Sequence, residues 1–224
     1  MKITWLGQAG LLFETGNLTI MVDPYLSNSV EKVNPLNYRR VAVDESFFDI
    51  KPDVMVFTHN HLDHYDPETV AHFITKDTRM LVLSPVSVSE EVRLIGGLNN
   101  YVQFDRHTSW TEQGVRFTAV KAAHRDLAAI GVIIEAEGRK YYVTGDTLYN
   151  EDIFADIPDD IYAVFLPING VGHNMNIVDA ARFAERIGAQ KVVPMHFGMF
   201  DEMSPEGFAC ENRVIPEIYQ EILI

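Results

Sequence analysis

Short hydrophobic runs separated by turn residues fill the first quarter of the chain. Lys2–Leu6, Leu11–Glu14 and Leu18–Asp23 are apolar or alternating segments that glycine-containing turns divide. This pattern predicts an antiparallel meander at one edge of a sheet. The run Asp53–Phe57 differs because its apolar residues are consecutive, which is typical of a strand buried on both faces.

Helical patterns alternate with further strands in the rest of the chain. Asp66 is expected to cap a helix over Pro67–Lys76, because proline suits the first helical position. Val86–Ile95 and Val178–Ile187 are predicted to be helices that end at the glycines following them. The other predicted strands are Met80–Leu83, Val115–Ala122, Ile130–Ala136, Lys140–Thr144, Ile161–Leu166 and Lys191–Val193.

Two segments have no regular pattern. Tyr25–Asp49 is too long for a simple connection, so we expect it to be functional or partly mobile. The last fifteen residues are ambiguous between helix and strand. The order of the other elements predicts a single domain over residues 1–224, of the mixed α/β (α+β) class. In this domain two mixed β-sheets pack face to face with helices outside, as a four-layer αββα sandwich.

Composition and charge narrow the partners and the setting. The 224 residues are 47% hydrophobic, which is ordinary for a folded protein, and their formal net charge is −14. Such an acidic surface repels phosphate backbones and anionic membranes, so neither nucleic acid nor a membrane is expected as a partner. The single cysteine, Cys210, rules out a thiolate metal cluster. No apolar stretch is long enough to span a bilayer and the start has no signal-peptide core, so a cytoplasmic protein is expected.

The densest chemical signal directly follows the buried run Asp53–Phe57. His59, His61, Asp63 and His64 stand within six residues of one another in a predicted turn. Imidazole and carboxylate groups there can converge on a metal ion, and they suit zinc, manganese or iron. A solvated loop that happens to be rich in histidine is the alternative, and it does not account for this density.

Four residues cannot complete two metal sites, so further ligands are expected where other strands end. His124 follows the run Val115–Ala122, Asp146 follows Lys140–Thr144, and His196 follows the run that begins at Lys191. Taken singly, each has an ordinary explanation as a surface, turn or structural residue. Together with the histidine-rich turn they predict one shared site.

These motifs are recognisable in their order and spacing. They resemble the metallo-β-lactamase superfamily over nearly the whole chain, beginning with Trp5-Leu6-Gly7 and Val22-Asp23-Pro24. The residues that carry the resemblance are His59-x-His61-x-Asp63-His64, His124, Gly145-Asp146-Thr147 and Pro194-Met195-His196-Phe197-Gly198. Asn34-Pro35-Leu36 and the Asn174-Met175 stretch are similar to the branch that contains L-ascorbate-6-phosphate lactonase.

The resemblance implies a ligand set for two divalent ions, either zinc or manganese. One ion would be held by His59, His61 and His124, and Asp146 would bridge it to the second. The second would be held by Asp63, His64 and His196, while Asp23 would support the histidine-bearing turn through hydrogen bonds. A hydroxide shared by the ions would attack a small polar substrate, possibly a sugar-phosphate lactone, and Asp63 would also orient the nucleophile or relay its proton.

Substrate-binding residues are less clearly marked. Arg39 and Arg40 are a basic pair suited to phosphate, although a surface charge pair is the simpler interpretation. In the glycine-bracketed stretch Gly170–Asn174, His173 is a candidate proton donor to the leaving group and Asn174 a candidate substrate ligand, or both are ordinary loop residues. His72 and His107 match no ligand position and are interpreted as structural.

Other functions remain open from the sequence. A phosphodiesterase or RNA-processing nuclease could use the same fold, although the negative charge argues against it. A metal-binding protein without turnover is also possible, because ligands do not prove catalysis. Related lactonases suggest a homo-oligomer, but this chain marks no interface.

Overall fold

The computed structural model describes residues 1–224 and arranges twelve strands in two six-stranded sheets. In the first sheet β1, β2 and β3 are antiparallel, and β3 to β6 are parallel. These strands lie side by side in chain order: β1 (Lys2–Gly7), β2 (Gly10–Glu14), β3 (Thr19–Val22), β4 (Val54–Val56), β5 (Leu81–Ser84) and β6 (Asn100–Gln103).

The second sheet is built in the same way, with antiparallel strands followed by parallel ones. Strands β7 to β10 are antiparallel, whereas β10, β11 and β12 are parallel, so this sheet is also mixed. Its strands again lie side by side in chain order: β7 (Ser109–Glu112), β8 (Val115–Lys121), β9 (Ile130–Ala136), β10 (Arg139–Val143), β11 (Ile161–Pro167) and β12 (Lys191–Met195).

Four α-helices and four short 3₁₀ turns complete the structure. The helices are α1 (Ser29–Val33), α2 (Pro67–Phe73), α3 (Val86–Val92) and α4 (Ile177–Ile187). The 3₁₀ turns cover Glu45–Asp49, Arg93–Ile95, Glu151–Asp156 and Pro205–Gly207. None of the helices is both long enough and apolar enough to cross a lipid bilayer.

The hydrophobic core lies between the sheets and under the outer helices. Phe13 and Phe165, from opposite sheets, meet edge to face with ring centroids 5.7 Å apart. On the outer side of the first sheet, Met55 and Val82 pack in one apolar cluster with residues of α2 and α3. Buried residues of α4, such as Phe183, join the main core on the second sheet. The predicted four-layer sandwich of two mixed sheets is therefore confirmed.

Helix boundaries differ from the predicted ones only at their ends. Asp66 caps α2 as predicted and accepts hydrogen bonds from the backbone of Glu68 and Thr69, but α2 ends at Phe73 instead of Lys76. The predicted helix Val86–Ile95 is α3 followed by one 3₁₀ turn.

Two of the twelve strands were not predicted from the sequence. The edge strands β6 and β7 have exposed or half-buried side chains, so their sequences lack the hydrophobic runs that mark the other strands. Tyr25–Asp49 contains α1 and a 3₁₀ turn, with the remainder irregular.

The ambiguous C-terminal segment forms neither a helix nor a named strand. It runs past β12 and then past β1, the edge strands on one side of the two sheets. Val214 N donates to Val192 O at 2.8 Å, and Ile222 N donates to Ile3 O at 2.8 Å. Covering both edges satisfies backbone groups that would otherwise be open to another chain.

Candidate metal centre

Strand direction brings the predicted ligands to one rim of the sandwich. Strands β8, β10 and β12 point the same way in the second sheet, and His124, Asp146 and His196 follow their carboxyl ends. Strands β1, β3 and β4 point the same way in the first sheet and are followed by Gln8, Asp23 and the Thr58–His64 turn. Residues from distant parts of the chain therefore meet at this rim.

All seven predicted ligands lie in two adjoining groups. The first group contains His59, His61, His124 and Asp146, and the second contains Asp63, His64 and His196; within each group the ligand atoms lie within 4.8 Å of one another. Asp146 connects the groups. Its Oδ1 is 3.1 Å from His64 Nε2 and 3.2 Å from His196 Nε2, while its Oδ2 is 4.0 Å from His59 Nε2.

The donor atoms fit divalent cations better than they fit one another. His59 Nε2, His64 Nε2 and Asp146 Oδ1 are buried without a hydrogen-bonding partner of acceptable geometry. His124 Nε2 and His61 Nδ1 lie 3.2 Å apart, close to the separation of about 3.3 Å that two nitrogen ligands have around tetrahedral zinc. Buried polar atoms without partners are costly, and a shared cation would satisfy them.

Asp23 holds the histidine-rich turn through contacts with Thr58 and His64. Its Oδ1 accepts a hydrogen bond from Thr58 N at 2.8 Å, and its Oδ2 lies 2.8 Å from His64 Nδ1. With Nδ1 held by this carboxylate, His64 Nε2 is left for the cluster. Asp23 thus makes the supporting contact that the family resemblance implies for it.

The contacts of three supporting residues were not predicted from the sequence. Gln8 Nε2 donates to Asp63 Oδ2 at 2.8 Å and lies 3.1 Å from His196 Nε2. Asn169 Nδ2 lies 3.0 Å from His196 Nδ1. Thr147 Oγ1 accepts a hydrogen bond from Ala123 N at 2.9 Å, beside His124. A lone amide or hydroxyl in a turn has no spacing pattern that could mark it in one sequence.

Left-handed backbone concentrates at this rim. Gln8, Asp23, His173 and His196 have φ values of +50°, +43°, +70° and +62°. Side chains other than glycine seldom adopt such angles, which cost free energy and persist where surrounding contacts enforce them. The hydrogen bond from His196 N to Gln8 O, at 2.9 Å, is one of these contacts.

Burial lowers the pKa of two of the cluster's histidines, whereas nearby carboxylates raise the pKa of two others. Burial, together with the neighbouring His64, holds the pKa of His59 well below its usual range, and burial also lowers the pKa of His124. Burial acts in the same direction on His64 and His196, but nearby carboxylates outweigh it. They raise the pKa of His64 well above its usual range and that of His196 to about 9.

The two carboxylates of the cluster respond in the opposite direction. Burial favours their protonated forms, but the charges of His64 and His196 outweigh it and lower the pKa values of Asp63 and Asp146. Protons on two imidazoles therefore balance two carboxylates at neutral pH. Divalent cations could replace these protons.

A cavity of about 320 Å³ opens over the second ligand group. Asp63 and His196 line one side, and Asn37 from the irregular segment Tyr25–Asp49 lines another. Val30 of the same segment also lines the cavity, so the expectation that this segment is functional has a structural basis in two residues. The full lining is Gln8, Val30, Asn37, His61, Asp63, Asp146, Asn169, Val171, Gly172, His196, Phe200 and Asp201.

The candidate substrate residues lie elsewhere or have other partners. Arg39 donates to Tyr25 O at 2.8 Å and to the Tyr219 hydroxyl at 2.5 Å, and Arg40 donates to Phe200 O. Neither arginine lines the cavity. These contacts engage donors of both arginines, and phosphate binding by this pair stays a prediction without a supporting contact.

Asn174 and His173 flank the cluster. Asn174 is buried, donates to Asp146 Oδ2 at 3.0 Å and accepts from Thr147 N at 3.2 Å, so it orients a predicted ligand. His173 is exposed, and its ring centroid lies 6.0 Å from that of His124. His72 stacks on Phe48, and His107 contacts Asp156; neither belongs to the ligand groups.

Comparison with known proteins identifies the class. Residues 2–196 match the family described as the beta-lactamase superfamily domain. The chain therefore belongs to this superfamily, and its two-sheet fold is of the metallo-β-lactamase type, with the His/Asp cluster as a candidate metal-binding site.

Three similar proteins share nearly their full length with this chain. A UPF0173 metal-dependent hydrolase of Thermoplasma acidophilum is 30% identical, with 100% of this chain and 99% of that one covered. Among solved structures, a possible metal-dependent hydrolase from Veillonella parvula is 19% identical with a TM-score of 0.80, covering 100% and 99% of the two chains. A metallo hydrolase from Ignicoccus hospitalis is 20% identical with a TM-score of 0.76, covering 99% and 97%.

Proposed function

We propose that this protein is a dinuclear metal-dependent hydrolase that acts on a small polar substrate, such as a lactone. The single observation that carries the proposal is the pair of ligand groups joined by Asp146 next to a cavity of about 320 Å³. Membership of the superfamily and relatives described as metal-dependent hydrolases support the reaction class.

The ligand chemistry supports two divalent ions, zinc or manganese. One would be held by His59, His61 and His124, and the other by Asp63, His64 and His196, with Asp146 between them. When bound, such ions would supply an activated water and would polarise the carbonyl or phosphoryl oxygen of the substrate.

Asp63 is the carboxylate best placed to act on the substrate side. Its side chain is 19% exposed, whereas those of Asp146 and Asp23 are 4% and 0% exposed. It lines the cavity, and the hydrogen bond from Gln8 fixes its Oδ2. Asp63 can therefore orient the attacking water or accept its proton. His173, exposed beside His124, is proposed to protonate the leaving group.

The finer parts of the proposal rest on the sequence. A sugar-phosphate lactone as the substrate rests on the resemblance to the lactonase branch, as does a homo-oligomer. A cytoplasmic location rests on the sequence patterns described above. A phosphodiesterase or nuclease receives less support, because no lysine or arginine lines the cavity and the net charge is −14.

Metal analysis followed by a hydrolysis panel tests the proposal. We expect two equivalents of zinc or manganese per chain, turnover of lactones, and a loss of about 10²-fold or more in kcat/KM in Asp63→Ala. The exposed Asp159→Ala serves as a matched carboxylate control that retains activity.

Two results would contradict the proposal. If the folded protein binds metal but hydrolyses no lactone, phosphoester or thioester, it is a metal-binding protein without turnover. Turnover restricted to phosphodiesters would indicate the nuclease-like function instead.

A further inference from the structure

We infer that the substrate of this site carries an uncharged, apolar substituent, which packs against Val30, Val171 and Phe200. This inference rests on the proposed function, because it names the substrate class of the same site. Such a substrate has one polar, reactive end and one apolar end.

The cavity has an apolar wall besides its polar ligand groups. Val30 comes from α1, Val171 from the loop between β11 and α4, and Phe200 from the loop after β12. The Phe200 ring packs edge-on against the buried Tyr25 ring, with centroids 5.6 Å apart, so this part of the wall is supported from behind. Three separate segments thus contribute apolar side chains to one small cavity.

Val171 is the most informative member of this wall. Its side chain is 68% exposed although it lines the cavity. Gly170 and Gly172 on either side have φ values of +67° and +71°, so the backbone turns sharply on both sides of it. A bound apolar group would remove part of this side chain from water, which is favourable.

The cavity lining offers no lysine or arginine side chain that could pair with an anionic substituent. It contains instead the carboxylates of Asp63, Asp146 and Asp201. Arg40 donates to the backbone oxygen of the lining residue Phe200, and Arg39 donates to Tyr25 O, so both guanidinium groups have partners in the protein. Phosphate sites usually supply arginine or lysine donors in fixed geometry. Bound divalent cations would add positive charge at the reactive end, so the lack of lysine and arginine bears on the substituent alone.

The cavity volume limits the apolar substituent to a few carbons. About 320 Å³ is at the lower end of the range for small-molecule sites. Full burial of one methylene group corresponds to about fourfold tighter binding. A butyl group that is half buried should therefore improve affinity by roughly tenfold or more.

Binding of unreactive lactams separates this inference from turnover. Isothermal titration calorimetry of the metal-loaded protein would compare 2-pyrrolidinone, 5-butyl-2-pyrrolidinone and a pyrrolidinone carrying a propanesulfonate chain. We expect the butyl compound to bind at least about tenfold more tightly than either of the others. Val171→Ser should remove most of the gain from butyl, whereas Leu94→Ser, at another exposed apolar residue, should retain it.

The outcomes distinguish the two proposals. Equal affinities, tighter binding of the sulfonate, no binding of any lactam, or a butyl gain unchanged by Val171→Ser would overturn the inference. None of these would remove the hydrolase function if lactones are still turned over. Conversely, a butyl preference that depends on Val171, in a protein without hydrolytic activity, would support the apolar wall and overturn the proposed function alone.

Discussion

The side chains of this site are held by partners that occupy one polar atom and leave another for the cluster. Asp23 engages Nδ1 of His64, which leaves Nε2, and Asn174 engages Oδ2 of Asp146, which leaves Oδ1. The two free atoms lie 3.1 Å apart. Their orientation is therefore set by the protein before any cation binds, which reduces the reorganisation that binding requires.

Protons compete with metal ions for the same imidazoles, so metal affinity should depend on pH. The pKa of His196 is raised to about 9 and that of His64 is also raised, so both hold protons at pH 7 when no metal is bound. Metal binding must displace them, and apparent affinity should rise between pH 7 and pH 9, about tenfold per pH unit for each displaced proton. Competition with a chelator at several pH values would measure this slope.

A remote histidine gives the matched control for this prediction. His107→Gln removes an exposed imidazole outside the ligand groups and should leave the slope unchanged. Imidazoles of ordinary pKa, about 6.5, would stop competing above pH 7. An affinity that is flat from pH 7 to pH 9 would therefore show that the carboxylates do not hold these protons.

Sequence predicted ligands more readily than the residues that support them. Histidine and aspartate after hydrophobic runs are visible as a pattern, and all seven predicted ligands meet in the structure. Gln8 and Asn169 are single amides in turns, and their contacts depend on where two sheets bring His196. Arg39 shows a limit of charge as a signal: its charge suggested a substrate ligand, its donors contact Tyr25 and Tyr219, and phosphate binding by it stays a prediction.

At the scale of elements, close approach between the sheets determines where Asp146 lies. Gly145 follows β10 with φ of +59°, next to Thr58 on the first sheet. A Cβ atom there would lie 2.9 Å from Thr58 Cβ and 3.0 Å from Ile130 O. Such distances are too short, so only glycine lets these strand ends meet.

Gly145→Ala should be destabilising for two reasons, whereas Gly138→Ala has only one of them. Both positions have positive φ, which costs an alanine about 1–2 kcal/mol. Gly138 has open space around a Cβ atom, but Gly145 does not, and overpacking adds about 1–3 kcal/mol. Urea denaturation of both variants would measure the difference. Equal losses of stability would show that the strand ends can separate at little cost.

Predicted elements agreed with the structure where burial imposes a pattern. Strands such as β4 and β11 are buried along nearly their whole length and read as continuous hydrophobic runs. The edge strand β7 alternates between exposed and half-buried residues, so its pairing with β8 depends on tertiary structure. The segment Tyr25–Asp49 could not be predicted in detail, because some of its contacts are made with residues more than a hundred positions away, such as Tyr219.

At the scale of the whole molecule, hydrogen bonds connect the rim that carries the predicted ligands with the edges of the two sheets. Strands β1 and β12 are edge strands of different sheets, and the C-terminal segment hydrogen-bonds to both. Directly beyond these strands, His196 N donates to Gln8 O across the sheets. The segment that closes the edges thus also keeps together two strands whose ends support the predicted second metal position.

Ile222 and Leu223 provide an internally matched test of this connection. Ile222 is 4% exposed and its N–H bonds to β1, whereas the neighbouring Leu223 is 79% exposed. We expect Ile222→Ala to lower the free energy of unfolding by about 2–4 kcal/mol, because it empties a buried position, and Leu223→Ala to change it by less than about 0.5 kcal/mol. Denaturation with simultaneous metal titration would measure both effects. If the edge supports the rim, Ile222→Ala should also weaken metal binding; unchanged affinity in a destabilised variant would show that the strand ends hold the cluster without the C-terminal segment.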